Sequence, residues 1–168
     1  MKVMITGASD GFGLLLVKKL SSDPRITQII ALKSTDIDYS SHDYDDNEKL
    51  SFETAKDLRQ RALEDTFKKN PDVDVVIHMA YSDKPEKNES GKFTHETNVF
   101  GTMRILNLCE KYGVKKFIYK SPSSIYGASP DNPVLIKEDF PLKGNRAYQA
   151  LRDKIEADVI CQLHIKEN

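Results

Sequence analysis

The N-terminal sequence reads as a short apolar strand, a turn with three glycines and an apolar helix, and this pattern constrains the fold more than any other feature. Apolar residues 3–5 precede Gly7, Gly11 and Gly13, and apolar residues recur through 14–20 at helical spacing. Glycines let the backbone bend sharply and approach a pyrophosphate, whose charge the amides and dipole of the helix start favour. The pattern predicts a dinucleotide site; a plain glycine-rich strand-to-helix turn is the alternative.

The rest of the chain alternates apolar strands with helices. After the first strand, which ends near Thr6, strands are predicted at 26–32, 49–54, 73–80 and 115–120. Helices are predicted after the glycine turn and at 58–69, 96–112 and 148–165. This alternation predicts an α/β fold, a doubly wound parallel sheet of about five strands with helices on both faces. Such sheets bind ligands at the carboxyl ends of their strands.

Length, charge and cysteine usage narrow the class of protein. A chain of 168 residues predicts a single domain, 1–168, and 25 basic against 26 acidic residues predict neither nucleic acid nor a membrane surface as partner. Cys109 and Cys161 lie in helix-like apolar patterns, which predicts buried thiols in a reducing compartment. Without a signal peptide or spanning stretch, the cytoplasm is the expected location.

Two stretches are predicted to be loops. Residues 36–48 are acid-rich and carry part of a calcium-loop spacing, but the turn glycine and the final carboxylate are missing, so no metal site is predicted. Residues 121–146 contain four prolines and join the fifth strand to the last helix. Their length suits a functional loop over a site.

Six motifs, in order along nearly the whole chain, resemble the extended short-chain dehydrogenase/reductase superfamily, and more narrowly its NAD-dependent epimerase/dehydratase branch. The motifs are residues 6–13, 57–58, 76–80, 98–102, 113–119 and 125–127. The resemblance implies an NAD(P)-binding Rossmann domain of an oxidoreductase that acts on nucleoside-diphosphate sugars. It also implies a homodimer through helices 96–112 and 148–165. Relatives continue into a substrate-binding lobe, which we expect this chain to lack.

The resemblance assigns cofactor contacts to the strand ends and to the turns that follow them. The implied residues are Gly7, Ser9, Asp10, Gly11, Phe12, Gly13, Lys33, Asp57, Leu58, Met79, Ala80, Tyr81, Asn98 and Lys154. Asp57 and Leu58 match a pair that contacts adenine, with a helix N-cap as the alternative for Asp57. Asn98 matches a residue that fixes the neighbouring strand end, or it simply begins a helix. His78 is interpreted as a core histidine.

Lys33 bears on the choice of cofactor. In the family, the second strand commonly ends in an acid that accepts from the adenosine ribose hydroxyls, whereas here Lys33 is followed by Ser34. A cation and a hydroxyl suit the 2′-phosphate of NADP, so NADP is predicted ahead of NAD. The acid-rich loop that follows opposes this preference, and an exposed lysine at a strand end is the alternative.

The catalytic residues implied by the resemblance are irregular. Family members pair a tyrosine with a lysine four residues later on one helix face, where the lysine lowers the pKa of the phenol. Here Lys154 matches the lysine, but Ala150 stands at the tyrosine position and Tyr148 lies two residues early. Pro122 stands at the position of a catalytic serine, so Ser123 becomes the candidate, with Ser124 as the alternative. A surface or packing role is the alternative for Tyr148.

Three functions remain open from the sequence. The first is an NAD(P)-dependent epimerase/dehydratase-like enzyme that uses Tyr148, Lys154 and Ser123. The second is a catalytically silent NAD(P)-binding regulatory or partner-dependent module. The third is an unproductive fragment whose exposed sheet edge promotes association.

Overall fold

A computed structural model describes residues 1–9, 11–33, 48–54, 61–82 and 94–167. Its strands are β1 (Lys2–Thr6), β2 (Gln28–Lys33), β3 (Leu50–Thr54), β4 (Val75–His78) and β5 (Lys116–Tyr119). Its helices are α1 (Gly11–Ser21), α2 (Arg61–Lys69), α3 (Gly101–Lys111) and α4 (Gln149–Glu167). A π-helical turn, Glu96–Phe100, leads into α3, and a 3-10 turn spans Ser123–Tyr126.

The five strands form one parallel sheet in the order β3-β2-β1-β4-β5. The chain moves outward from β1 to β3, then returns to place β4 on the other side of β1, so the order reverses between β1 and β4. Thr6 at the end of β1 pairs with His78 at the end of β4. The first residues after both strands therefore lie side by side at the carboxyl edge of the sheet, which is the place where such folds bind ligands.

Alternate residues of the strands supply two hydrophobic clusters, one on each face of the sheet. One cluster joins Met4, Ile30 and Val76 to residues of α2 and α3. The other joins Val3, Ile5, Ile29 and Ala31 to Val17 of α1. The central strands are apolar on both faces because helices cover both, as expected for a parallel sheet.

The predicted fold class is confirmed, and the element bounds differ from the predicted ones by a few residues at their ends. Residues 55–60, which include the predicted start of the second helix, lie outside the described residues, as does the acid-rich stretch 34–47. Within the described ranges no helix is long and apolar enough to cross a membrane. Cys109 and Cys161 are buried free thiols, as predicted, and burial raises the pKa of each to about 12.

Candidate functional site

Two of the three glycines in the first turn are required by close packing. Gly7 has a φ of +73°, and a Cβ there would lie 2.6 Å from the backbone nitrogen of Ala80 and 2.8 Å from the carbonyl carbon of Met79. A Cβ on Gly13 would clash with the carbonyl oxygen of Gly7 and would lie 2.8 Å from the Cα of Ala8. The end of β1, the start of α1 and the end of β4 therefore touch through backbone atoms.

Gly11 differs from these two glycines because it borders open space. A Cβ there would meet no atom of the described residues within 4 Å. Gly11 begins α1, whose first backbone N–H groups lack partners within the helix and favour an anion. Phe12 beside it is 54% exposed, and the Nζ of Lys120, just after β5, lies 4.8 Å from its ring centre. The first turn of α1 is thus accessible from the carboxyl edge.

A buried hydrogen-bond network fixes the backbone after β4. The hydroxyl of Thr6 accepts from the N–H groups of Met79 and Ala80, at 3.2 Å each. With its lone pairs used in this way, the hydroxyl donates its hydrogen to Nδ1 of His78, 2.6 Å away. Met79 and Ala80, two of the predicted cofactor contacts, are therefore held by the last residue of β1.

The same network continues through His78 into α3. Nε2 of His78 lies 2.9 Å from the hydroxyl of Thr102, which donates to the carbonyl of Asn98 at 2.6 Å. This direction of donation requires the neutral ring with its hydrogen on Nε2. Burial lowers the pKa of His78 to about 4, in agreement with a neutral ring. His78 is thus a core histidine with a hydrogen-bond partner at each nitrogen.

Asn98 and Tyr81 connect the segment after β4 to the helices beside it. The side-chain amide of Asn98 accepts from the N–H of Ser82 at 2.9 Å and donates to its carbonyl at 2.8 Å, so Asn98 fixes the chain after β4. The phenol of Tyr81 donates to the carbonyl of Ala150 in α4. The Nζ of Lys154 lies over the ring of Tyr81, 4.3 Å from its centre.

The other two predicted catalytic residues lie on exposed surface. Tyr148 is 68% exposed and immediately precedes α4, and its carbonyl accepts from the N–H groups of Leu151 and Arg152 in the first turn of that helix. Ser123 is exposed in the 3-10 turn. The loop that joins them is folded back, since the N–H of Gly144 donates to the carbonyl of Ile125 at 2.8 Å.

Two further phenols border this region, and the surroundings of each raise its pKa. Burial, followed by the nearby Cys161 and Asp158, raises the pKa of Tyr119 well above its usual range. The pKa of Tyr126 is also raised, first by desolvation and then by the carboxylates of Asp158 and two acids of the 121–146 loop. Neither environment favours a phenolate, so neither residue is poised to accept a proton.

An apolar groove of about 240 Å³ lies between the π-helical turn and α4, and none of the predicted site residues lines it. It is lined by Val99, Arg146, Ile155, Glu156, Val159 and Ile160. Beside it, Nδ1 of His95 lies 2.8 Å from the fully buried carboxylate of Asp153.

The structure brings together the turn of β1, the end of β4, Asn98 and Lys154, whereas four predicted contacts cannot be placed. Asp10, Asp57 and Leu58 lie outside the described residues, as does the side chain of Lys33 at the end of β2. Sequence reasoning missed Thr6 and Thr102. Thr6 lies at a strand end and Thr102 in a helix. The pairing of β1 with β4 brings Thr6 to one nitrogen of His78, and the position of α3 brings Thr102 to the other.

Comparisons with known proteins identify the family. The family described as NAD dependent epimerase/dehydratase matches residues 3–168. A dTDP-D-glucose 4,6-dehydratase from Dictyostelium discoideum is 34% identical over 134 residues, which cover 76% of this chain and 30% of that protein. A UDP-glucose 4-epimerase from Bacillus subtilis is 31% identical over 121 residues, 71% of this chain and 34% of that protein.

Solved structures share the fold. A dTDP-glucose 4,6-dehydratase from Bacillus anthracis, in complex with NAD, superposes with a TM-score of 0.78 at 23% identity, over 99% of this chain and 51% of that one. The chain thus spans about a third of the length of the two relatives above and about half of this solved protein.

Proposed function

The chain belongs to the NAD-dependent epimerase/dehydratase family, and from this premise we propose that it binds NAD(H) at the carboxyl edge of β1 and β4 as part of an enzyme acting on a nucleoside-diphosphate sugar. The observation that carries the proposal is the difference among the three glycines. Gly7 and Gly13 pack the turn against Ala80 and Ala8, while Gly11 leaves the helix start open to a pyrophosphate.

The residues around the turn fit a dinucleotide. Gly11 and the amides of α1 would hold the pyrophosphate, the backbone of Met79 and Ala80 would line the ribose, and Lys154 would supply a positive charge there. When bound, NAD⁺ would accept a hydride from the substrate and NADH would donate one. The NADP preference expected from Lys33 stays a prediction, and the named relatives support NAD, since the Bacillus anthracis structure contains NAD.

We assign the proton transfer to Tyr148. Its phenol is exposed, and the residue immediately precedes the helix that carries Lys154. Oxidation of a hydroxyl to a carbonyl requires a group that takes up the hydroxyl proton, and a phenol near a cation performs this role when its pKa is lowered. Ser123 would donate a hydrogen bond to the substrate oxygen. The named enzyme relatives support catalysis, and none of them supports a silent module.

Cofactor binding is tested by calorimetric titration with NADH and NADPH separately, on the wild type and on Gly11→Val. We expect micromolar binding by the wild type and at least tenfold weaker binding by Gly11→Val, because the new side chain fills the space beside α1. Leu15→Val is the matched control, since Leu15 is 64% exposed on the same helix. Equal affinity of all three proteins would contradict the assigned site.

Catalysis is tested by product formation from UDP-glucose or dTDP-glucose in the presence of NAD. Tyr148→Phe is expected to abolish turnover and to leave NADH affinity unchanged, because it removes only an exposed hydroxyl. Unchanged turnover in this variant would end the role of Tyr148. Cofactor binding without turnover by the wild type would instead favour the silent module.

A homodimer through α3 and α4 completes the proposal. Phe100, in the π-helical turn that leads into α3, is 50% exposed, and Leu163 of α4 is 51% exposed. Burial of such side chains in a helical interface favours association. Sedimentation equilibrium is expected to give twice the chain mass for the wild type and the chain mass for Phe100→Glu; a monomeric wild type would contradict this part.

A further inference from the structure

Tyr81 joins the end of β4 to the helix that carries Lys154. It is partly buried, three residues beyond His78, and its phenol donates to the carbonyl of Ala150. Its ring lies under the ammonium of Lys154, with Nζ 4.3 Å from the ring centre. One side chain therefore touches both ends of the same helical turn, since residues 150 and 154 are stacked four positions apart on α4.

Ala150 makes this contact possible. Its side chain is a single methyl group, so no bulky side chain occupies the first position of the turn between residues 150 and 154. A carbonyl oxygen has two lone pairs, and one can serve the helix while the other accepts from Tyr81. The aromatic ring that borders Lys154 thus comes from the sheet edge and not from the helix.

The backbone of Tyr81 is anchored on both sides. Before it, the N–H of Ala80 donates to the hydroxyl of Thr6 at 3.2 Å. After it, both backbone groups of Ser82 are bonded to the amide of Asn98, at 2.8 and 2.9 Å. The ring is therefore a platform of fixed position rather than a side chain on a free loop.

We propose that Tyr81 is a positioning residue that holds the ammonium of Lys154 at the carboxyl edge of β4, an inference that rests on the proposed NAD(H) site. The phenol donates to Ala150, so it is neutral, and its ring face attracts the cation without adding a negative charge. A carboxylate in that place would hold the ammonium but would offset its charge. The aromatic ring therefore holds the ammonium without itself offsetting the charge of Lys154.

A double-mutant cycle on NADH affinity tests the inference. Tyr81→Leu is expected to weaken NADH binding about threefold to tenfold in the wild type and less than twofold in Lys154→Met, since the ring acts through the lysine. Tyr81→Phe keeps the ring and is expected to stay within about twofold of the wild type. Lys111→Met is the matched control and should leave affinity unchanged: it removes the last lysine of α3, whose Nζ lies 5.5 Å from the ring centre of Tyr112.

A purely structural role gives a different result. In that case Tyr81→Leu would lower the urea midpoint and weaken NADH binding equally with and without Lys154, and the inference would be wrong. The contact itself is measured without cofactor by NMR of lysine labelled with ¹³C at Cε. The Lys154 signal, identified by its loss in Lys154→Met, should be shifted upfield in the wild type and in Tyr81→Phe but not in Tyr81→Leu.

The two measurements separate the two proposals. A wild type that binds neither NADH nor NADPH ends the proposed function and, with it, the cofactor role of Tyr81, while the ring-current shift still reports whether Tyr81 holds Lys154. A wild type that binds NADH but shows no upfield lysine signal, or an additive cycle, overturns the positioning role alone.

Discussion

The carboxyl ends of β1 and β4 and the start of α4 build their parts of the candidate site in different ways. At the strand ends, backbone atoms of Gly7, Gly13 and Ala80 touch, and a buried network through His78 fixes them. At the start of α4 and in the 3-10 turn, Tyr148 and Ser123 present exposed side chains. The first region is held by packing that tolerates little change, and the second is free to vary without loss of the fold.

The largest expected effect comes from a methyl group in the packed region. Gly13→Ala should lower the free energy of unfolding by about 3 kcal/mol or more, because its Cβ meets backbone that cannot rotate away. Gly11→Ala is the matched control: its Cβ enters open space, and stability should stay equal or rise by up to about 1 kcal/mol. Urea unfolding of both variants measures the difference, and similar losses in the two would erase the distinction between packed and open glycines.

The second-largest effect is expected on the free energy of unfolding when the pH is lowered, because His78 lies in the buried network. The pKa of His78 is about 4 in the folded chain, against 6.5 for a free histidine, so the unfolded state binds the additional proton between these values. Stability from this residue is complete above pH 6.5 and falls by about 1.4 kcal/mol per pH unit toward pH 4, roughly 3 kcal/mol in total.

The His78→Gln variant isolates this contribution from the carboxylates that titrate in the same range. Its unfolding free energy, followed between pH 6.5 and 4, should decline less steeply than that of the wild type. Parallel slopes would mean that His78 is charged in the folded protein and that the assigned direction of hydrogen bonding is wrong.

Thr6→Val should have a smaller effect, about 2 kcal/mol, because it leaves Nδ1 of His78 and the N–H of Ala80 without their partner. Thr6→Ser keeps the hydroxyl and should lose only about 1 kcal/mol for the missing methyl group. Thermal or urea unfolding distinguishes the two. Equal losses of unfolding free energy in Thr6→Val and Thr6→Ser would show that the hydrogen bonds of the Thr6 hydroxyl do not contribute to stability.

The smallest effect on stability is expected at Ser123. Ser123→Ala removes an exposed hydroxyl and should change the unfolding free energy by less than about 0.5 kcal/mol. If Ser123 polarises the substrate, turnover should fall while stability does not change. A large loss of stability would place Ser123 with the packed region instead.

The contrast between the packed strand ends and the exposed start of α4 also explains which parts of the structure the sequence could predict. The strands and helices, and the closeness of the first turn to the end of β4, follow from apolar periodicity and from the geometry of a parallel sheet, because burial leaves few alternatives there. The tyrosine that lies beside Lys154 does not follow from the sequence. The resemblance implies a tyrosine four residues before the lysine on the same helix. In the structure the ring beside Lys154 belongs instead to Tyr81, which follows β4 and lies 73 residues earlier in the chain.

The network of Thr6, His78 and Thr102 was beyond prediction for a related reason. Nothing local marks a threonine as the partner of a buried histidine, since the partners are 72 and 24 residues away along the chain. Asn98 was easier because its motif suggested a contact with the neighbouring strand end, and the structure shows it bonded to Ser82.

The buried cysteines offer a practical route to these measurements. Burial raises the pKa of each thiol to about 12, so both are protonated at pH 7, whereas maleimide reagents react with the thiolate. A single cysteine introduced at an exposed position such as Ser123 can therefore be labelled selectively while Cys109 and Cys161 stay in place. A fluorophore attached there would report movement of the loop in a protein whose core is otherwise unaltered.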